Sequence, residues 1–209
     1  MSVTKNLEAQ YHQRYEGALV PLARSLYEFI ARLDLPSKYH RIGPVTVRPK
    51  SIEKFLTKAQ TTENEKPKYS DPLHQIQDQL GARIITFYLC DVDPVTKIMK
   101  DYFNPIEEIK IVPDSASKFG YEGRHLVLFI PDDILTPEIP RELCPTFFEL
   151  QVKTLFQYAW SEADHDLAYK PPVKLAPEQE KMVAFTAAQA WGADRIFNRL
   201  ASELGIIGK

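Results

Sequence analysis

From Phe148 to Lys153 apolar and polar residues alternate without a break, with Phe148, Leu150 and Val152 on one parity and Glu149, Gln151 and Lys153 on the other. Successive side chains of an extended strand point to opposite faces. The pattern therefore predicts a strand that anchors in a core through its apolar row and presents an acid, an amide and an ammonium, about 7 Å apart, to a cleft. The period then changes. Over residues 155–167, Tyr158, Glu162 and His165 recur at i, i+4 and i+7, which predicts a helix with one polar face directly after the strand. Alternation of this kind also fits a solvated face of an antiparallel sheet, so the stretch suggests a pocket only together with other segments.

Elsewhere helical and strand periods interleave. Leu7, Tyr11, Tyr15, Leu19, Leu22, Leu26, Phe29, Ile30 and Leu33 predict a long helix over 4–34, which Pro21 kinks or divides. A short strand is expected before Arg48, then a helix over 51–60 whose Lys54 and Lys58 share a face, then a polar loop over 61–72. A short helix and turn lead into a strand over 83–89, and 106–112, 125–130 and 147–153 read as further strands, with a helix over 93–103. A second long helix closes the chain over 176–204, with Met182, Phe185, Ala193, Ile196, Leu200 and Leu204 on one side. The fold class is α/β (α+β): one domain over 1–209, a mixed sheet of about five strands flanked by helices, with a core over 47–170 and helical flanks 4–34 and 176–204.

Composition narrows the function classes. At 44% hydrophobic and 26% charged residues the chain reads as a globular domain. It has no apolar run near the roughly 20 residues of a membrane span and no signal-peptide core, so a cytoplasmic protein with no membrane partner is expected. Cys90 and Cys144 lie apart from each other and from histidines, which argues against a disulfide framework or a thiolate metal site and suggests two buried small hydrophobes. The net charge of −2 disfavours bulk electrostatic binding of nucleic acid. Between Lys38 and Lys68, however, eight Lys/Arg stand against three acids, a surplus of five that suits a small polyanion.

Four blocks carry candidate chemistry: Arg48-Pro-Lys50 with the helical Lys54 and Lys58; Asp78-Gln-Leu-Gly81-Ala-Arg83; Gly120-Tyr121-Glu-Gly-Arg-His125; and Glu149-Leu-Gln151-Val-Lys153-Thr154, followed by Trp160, Glu162, His165, Tyr169 and Lys170. In this order they resemble the synthetase domain of the RelA/SpoT family, with its patterns R-x-K plus a following lysine, D-x-x-G-x-R, G-Y-x-S-x-H, E-x-Q-x-R/K-T and W-x-x-x-x-H-x-x-x-Y-K. The resemblance runs from about Val47 to Lys170. It implies a nucleotidyltransferase-like fold and transfer of pyrophosphate from ATP to a ribose 3′-hydroxyl of GDP or GTP.

By this resemblance Arg48, Lys50 and Lys58 meet the ATP phosphates, which need several cations on a rigid scaffold. Arg83 stacks on adenine, and Asp78 and Glu149 are the catalytic carboxylates that hold Mg2+, Glu149 with partial general-base character. Tyr121, His125, Gln151 and Lys153 fall on the acceptor side, Tyr121 as a stacking platform. Gly123 stands where the family commonly has Ser, Lys54 stands where a second Ser often follows Ser51, and Glu122 and Arg124 flank the expected pocket; these departures bear on the acceptor. The pair His165-Asp166 resembles part of an alarmone-hydrolase metal site, but His12, His40 and His74 lie in unrelated contexts, so hydrolysis is not expected. Two rival readings keep the fold: a toxin that pyrophosphorylates the tRNA 3′ end, with an antitoxin partner, and an inactive nucleotide-binding regulator. The long flanking helices could build a homo-oligomer or simply cover the sheet.

Overall fold

The computed structural model describes residues 3–33, 41–111, 123–167 and 175–207. The N-terminal periodicity yields helix α1 (Val3–Arg14), a π-helical turn (Tyr15–Leu19) and α2 (Val20–Arg32) in direct succession. The N–H of Val20 bonds to the carbonyl of Tyr15, so the register slips by one residue just before Pro21, which then sits in the first turn of α2, where its missing N–H costs no bond. Strand β1 (Ile42–Pro49) and helix α3 (Ile52–Ala59) follow. The predicted polar loop contains a small hairpin of β2 (Thr62–Glu63) and β3 (Lys66–Pro67), turned by Asn64 and Glu65 at φ 52° and 63°.

Short α4 (Pro72–Gln75) and a 3-10 turn over Gln77–Gln79 lead into β4 (Leu80–Thr86), followed by α5 (Val92–Tyr102), β5 (Pro105–Ile111), β6 (Gly123–Phe129), β7 (Phe147–Thr154), α6 (Leu155–Leu167) and α7 (Pro177–Glu203). The expected strand over 83–89 thus lies three residues earlier. Its far end is replaced by a turn at Leu89–Asp91, where Arg41 forks onto the Asp91 carboxylate at 2.8 and 3.1 Å.

The sheet order is β1-β4-β7-β6-β5, with β4 and β7 parallel and the other neighbours antiparallel, so it is the mixed five-stranded sheet that the interleaved periods predict. Phe148, Leu150 and Val152 are fully buried and join Leu22, Leu26, Ile30, Phe55, Met99 and Phe103 in one core beneath the sheet. Burial of such side chains contributes roughly 1.5–3 kcal/mol each, which pins the register of β7 and forces Glu149 and Gln151 onto the other face.

Two expectations fail on the outer layer. Helix α7 docks through Ala187, Asp194 and Ala201, whereas Met182 (63% exposed), Phe185, Ile196, Leu200 and Leu204 (73%) face outward. Small residues allow close helix approach, and the Asp194 carboxylate accepts a bond from Thr154 Oγ1 at 2.7 Å, so the polar and small face wins the docking. Cys90 is exposed, not buried, because it sits in the turn after β4 with its N–H bonded to Asn198 Oδ1. No helix among the described residues is long and apolar enough to cross a membrane.

Candidate active site

The outer face of the sheet gathers the polar blocks. Arg48 pairs with Gly81, Gly81 with Glu149, and Arg83 with Gln151, which in turn pairs with His125. Directly paired residues share a face, so Arg48, Arg83, Glu149, Gln151 and His125 form one surface from four strands.

At one end of it lies a cationic centre around Asp78. This residue has φ −91° and ψ 32°, a break in the 3-10 turn that precedes β4. The ammonium groups of Lys50 and Lys58 both stand 2.9 Å from Asp78 Oδ2, while Oδ1 is buried with no hydrogen-bond partner among the described residues. Lys50 follows the end of β1, and Lys58 is in the last turn of α3, a helix capped by Ser51 through the Lys54 N–H. Burial opposes the charge of Lys58, but the bond and charge of Asp78 outweigh it and raise its pKa; Glu149 adds to the same field. Lys54, one turn earlier, stays exposed.

The second centre is Glu149. Its Oε1 accepts from His125 Nδ1 at 2.7 Å and from Gln151 Nε2 at 3.0 Å. Burial alone would push this carboxyl up, yet the two hydrogen bonds and the neighbouring charges of His125 and Lys58 hold its pKa at about 2. Gln151 Oε1, like Asp78 Oδ1, is buried with no hydrogen-bond partner among the described residues. Buried acceptors of this kind cost free energy unless something binds them. Among the described residues no group of three or more His, Cys, Asp or Glu side chains surrounds one point.

Lys153 departs from the open row that alternation implies. It is 4% exposed, its Nζ donates to Ser161 Oγ at 3.1 Å, and burial together with Arg83 and Arg48 lowers its pKa to about 8. Arg83 lies inside β4 and not at its mouth, 3.0 Å from Glu162. Arg124 does not flank the pocket: it pairs with Val152 and Lys110 on the opposite face and forms ion pairs with Asp93 and Glu108. Trp160 points to α7, donating to Thr186 Oγ1. Tyr121, with Gly120, Glu122, Tyr169 and Lys170, lies outside the described residues.

A supporting layer has no motif in the sequence. The buried Arg14 of α1 donates to Leu73 O at 2.6 Å and to Gln79 Oε1 at 3.0 Å, Gln79 Nε2 donates to the carbonyls of Leu73 and Ile76, and the Lys50 N–H bonds to Gln79 O. Tyr11, stacked on Phe55, donates to Lys50 O at 2.8 Å. These bonds lock the Asp78 turn to Lys50. Their only trace in the sequence is that Tyr11 and Arg14 occupy the first helix at i, i+3. Gln79→Leu is expected to leave the Arg14 charge underpartnered, at about 1–3 kcal/mol, and so to lower the thermal midpoint by on the order of 5 °C. An unchanged midpoint would remove this network from the account.

Residues 47–174 match the family described as "Region found in RelA / SpoT proteins". The GTP pyrophosphokinase YjbM of Bacillus subtilis (strain 168) is 28% identical over 188 residues, covering 86% of this chain and 79% of that protein. Among solved structures, small alarmone synthetase 1 from Bacillus subtilis superposes with a TM-score of 0.73 at 21% identity, covering 93% of this chain and 100% of that one. The same synthetase bound to its product pppGpp gives 0.64 at 22% identity, with 96% and 97% covered. The family match spans both carboxylates and the cations set against them, and on that ground this chain is a member of the RelA/SpoT family.

Proposed function

We propose that this protein is a pyrophosphokinase that transfers the β,γ-pyrophosphate of ATP to the 3′-hydroxyl of GDP or GTP, giving a (p)ppGpp-type alarmone and AMP. The observation that carries this reading is the pairing of two centres, one at the end of the polar sheet face and one on it: a carboxylate clamped by two lysines, and a second carboxylate held ionised by His125 and Gln151. Lys50, Lys58 and Arg48 supply the charge-assisted donors that a triphosphate requires. The buried acceptor Asp78 Oδ1 and the ionised Glu149 fit Mg2+, a hard cation that takes a few carboxylates and completes its shell with phosphate oxygens and water. When bound, the ion would offset charge on the transferring phosphates.

In the transfer, the ribose 3′-oxygen bonds to the β-phosphorus, the bond from that phosphorus to the α,β-bridging oxygen breaks, and AMP leaves with the electron pair. A carboxyl with a pKa of about 2 is a weak proton acceptor, so Glu149 serves mainly through its charge and by orienting His125. With its Nδ1–H donated to Glu149, neutral His125 takes the hydroxyl proton on Nε2 as the new bond forms.

ATP labelled on its β- and γ-phosphates, incubated with GDP, GTP, ATP and bulk tRNA as competing acceptors, tests the reading. Label is expected in guanine nucleotide, with only a modest dependence on salt because few phosphates are contacted. Label in tRNA alone, with a steep salt slope, would replace the acceptor by the tRNA 3′ end. No transfer to any acceptor would leave a nucleotide-binding regulator, a role with no need for both carboxylates.

A further inference from the structure

We propose that Tyr158 and Glu162 of α6 are positioning residues that hold the Arg83 guanidinium in place before the donor nucleotide arrives, an inference that rests on the pyrophosphokinase reading above and on the adenine-stacking role that the family resemblance implies for Arg83.

Tyr158, Ser161 and Glu162 stand at i, i+3 and i+4 and therefore share one face of α6. That face lies on the polar side of the sheet. Glu162 Oε1 is 3.0 Å from Arg83 NH2, the Arg83 Cζ sits 4.9 Å from the centre of the Tyr158 ring, and Ser161 Oγ accepts from Lys153 while donating to the Tyr158 carbonyl at 3.0 Å. The guanidinium is thus covered on one face by an aromatic ring and tied at its edge by a carboxylate, and its side chain is only 15% exposed. A planar cation has two faces; the one turned from Tyr158 is the surface on which a purine can stack.

Arginine carries several rotatable bonds, and ordering it at the moment of binding weakens affinity. Fixing it beforehand removes that loss. Glu162 has a second effect, because Arg83 and the buried Lys153 repel each other and its charge offsets both. It is 44% exposed at the helix surface, so its replacement opens no cavity. Neither residue needs to touch the reacting atoms.

The test measures binding of α,β-methylene-ATP by calorimetry, with steady-state kinetics in ATP, on the full chain. Glu162→Gln is expected to weaken the analogue about 3- to 10-fold, at most about 1.4 kcal/mol, and to raise KM for ATP by a similar factor with kcat within about twofold. Tyr158→Phe, which keeps the ring, retains the affinity that Tyr158→Leu loses. In an Arg83→Ala background, Glu162→Gln should have no further effect. Full additivity of the two changes, or an unchanged analogue affinity in Glu162→Gln, overturns the proposal. Coupling seen on guanine nucleotide affinity in place of ATP overturns its donor half, while the label experiment still decides the pyrophosphate chemistry separately. Thermal unfolding of each variant identifies any loss that comes from misfolding.

Discussion

Glu149→Gln is expected to yield a folded protein whose pyrophosphate transfer falls at least about 100-fold, roughly 2.7 kcal/mol of barrier. Glutamine keeps the shape and can still accept one bond, so the apolar row of β7 and its register are undisturbed. What it lacks is charge. In the native site Glu149 accepts from both His125 and Gln151, stays ionised far below neutral pH and contributes to the field at Lys58. A neutral amide abolishes that field and can turn an N–H toward His125. Single-turnover assays with saturating ATP and acceptor check the loss; a variant retaining more than about a tenth of wild-type turnover would exclude Glu149 from the catalytic set.

The same substitution has a signature in stability. The folded pKa of Glu149, about 2, lies below its ordinary value of 4.5. Folding therefore favours the ionised form, and the stability it contributes is full above 4.5 and is lost as pH falls toward 2. Thermal midpoints measured from pH 7 down to 3 should drop more steeply for wild type than for Glu149→Gln. Parallel curves would mean that the hydrogen bonds to Glu149 do not favour its charge.

Asp78→Asn is expected to cost about 100-fold in kcat/KM and to raise the Mg2+ concentration needed for half-maximal activity. In the structure Lys50 and Lys58 converge on one oxygen of Asp78, leaving the other for a further ligand. Asparagine leaves two ammonium groups facing each other with no anion between them, and its amide nitrogen offers a cation nothing to bind. Burial then weighs more heavily on Lys58, whose charge is supported mainly by the bond and charge of Asp78, with Glu149 adding to the same field. Unlike the Glu149 change, this one should act through both nucleotide and metal, so a magnesium titration separates the two. An unaltered magnesium requirement with turnover above about a tenth of wild type would contradict the metal-ligand role.

The two predictions rest on residues that differ in how legible they were. Glu149 and Gln151 follow from a period-two pattern, because burying Phe148, Leu150 and Val152 leaves the alternate positions only one direction to point. Asp78 has no such periodicity. Only the order of the motif blocks marks it in the sequence, and its geometry depends on a turn held by Arg14, which reaches Leu73 and Gln79 from 59 and 65 residues away in the chain. Lys153 looked equivalent to its neighbours in the row, yet α6 folds back over it and buries it against Ser161. Arg124 looked like part of the pocket by proximity to His125, but adjacent strand residues face opposite ways, and it pairs with Asp93 and Glu108 on the far side.

Local patterning alone determined the succession of helices and strands, the apolar rows of the sheet and the set of charged residues available for phosphate chemistry, because these depend on spacing within a few residues. Tertiary packing decided which cations meet which carboxylate, that Arg83 rests on Tyr158 and Glu162, and that α7 docks through Ala187, Asp194 and Ala201 with its larger apolar residues outward. Those outcomes depend on close approach between elements distant in sequence, where side-chain size and hydrogen-bond geometry outweigh any periodicity.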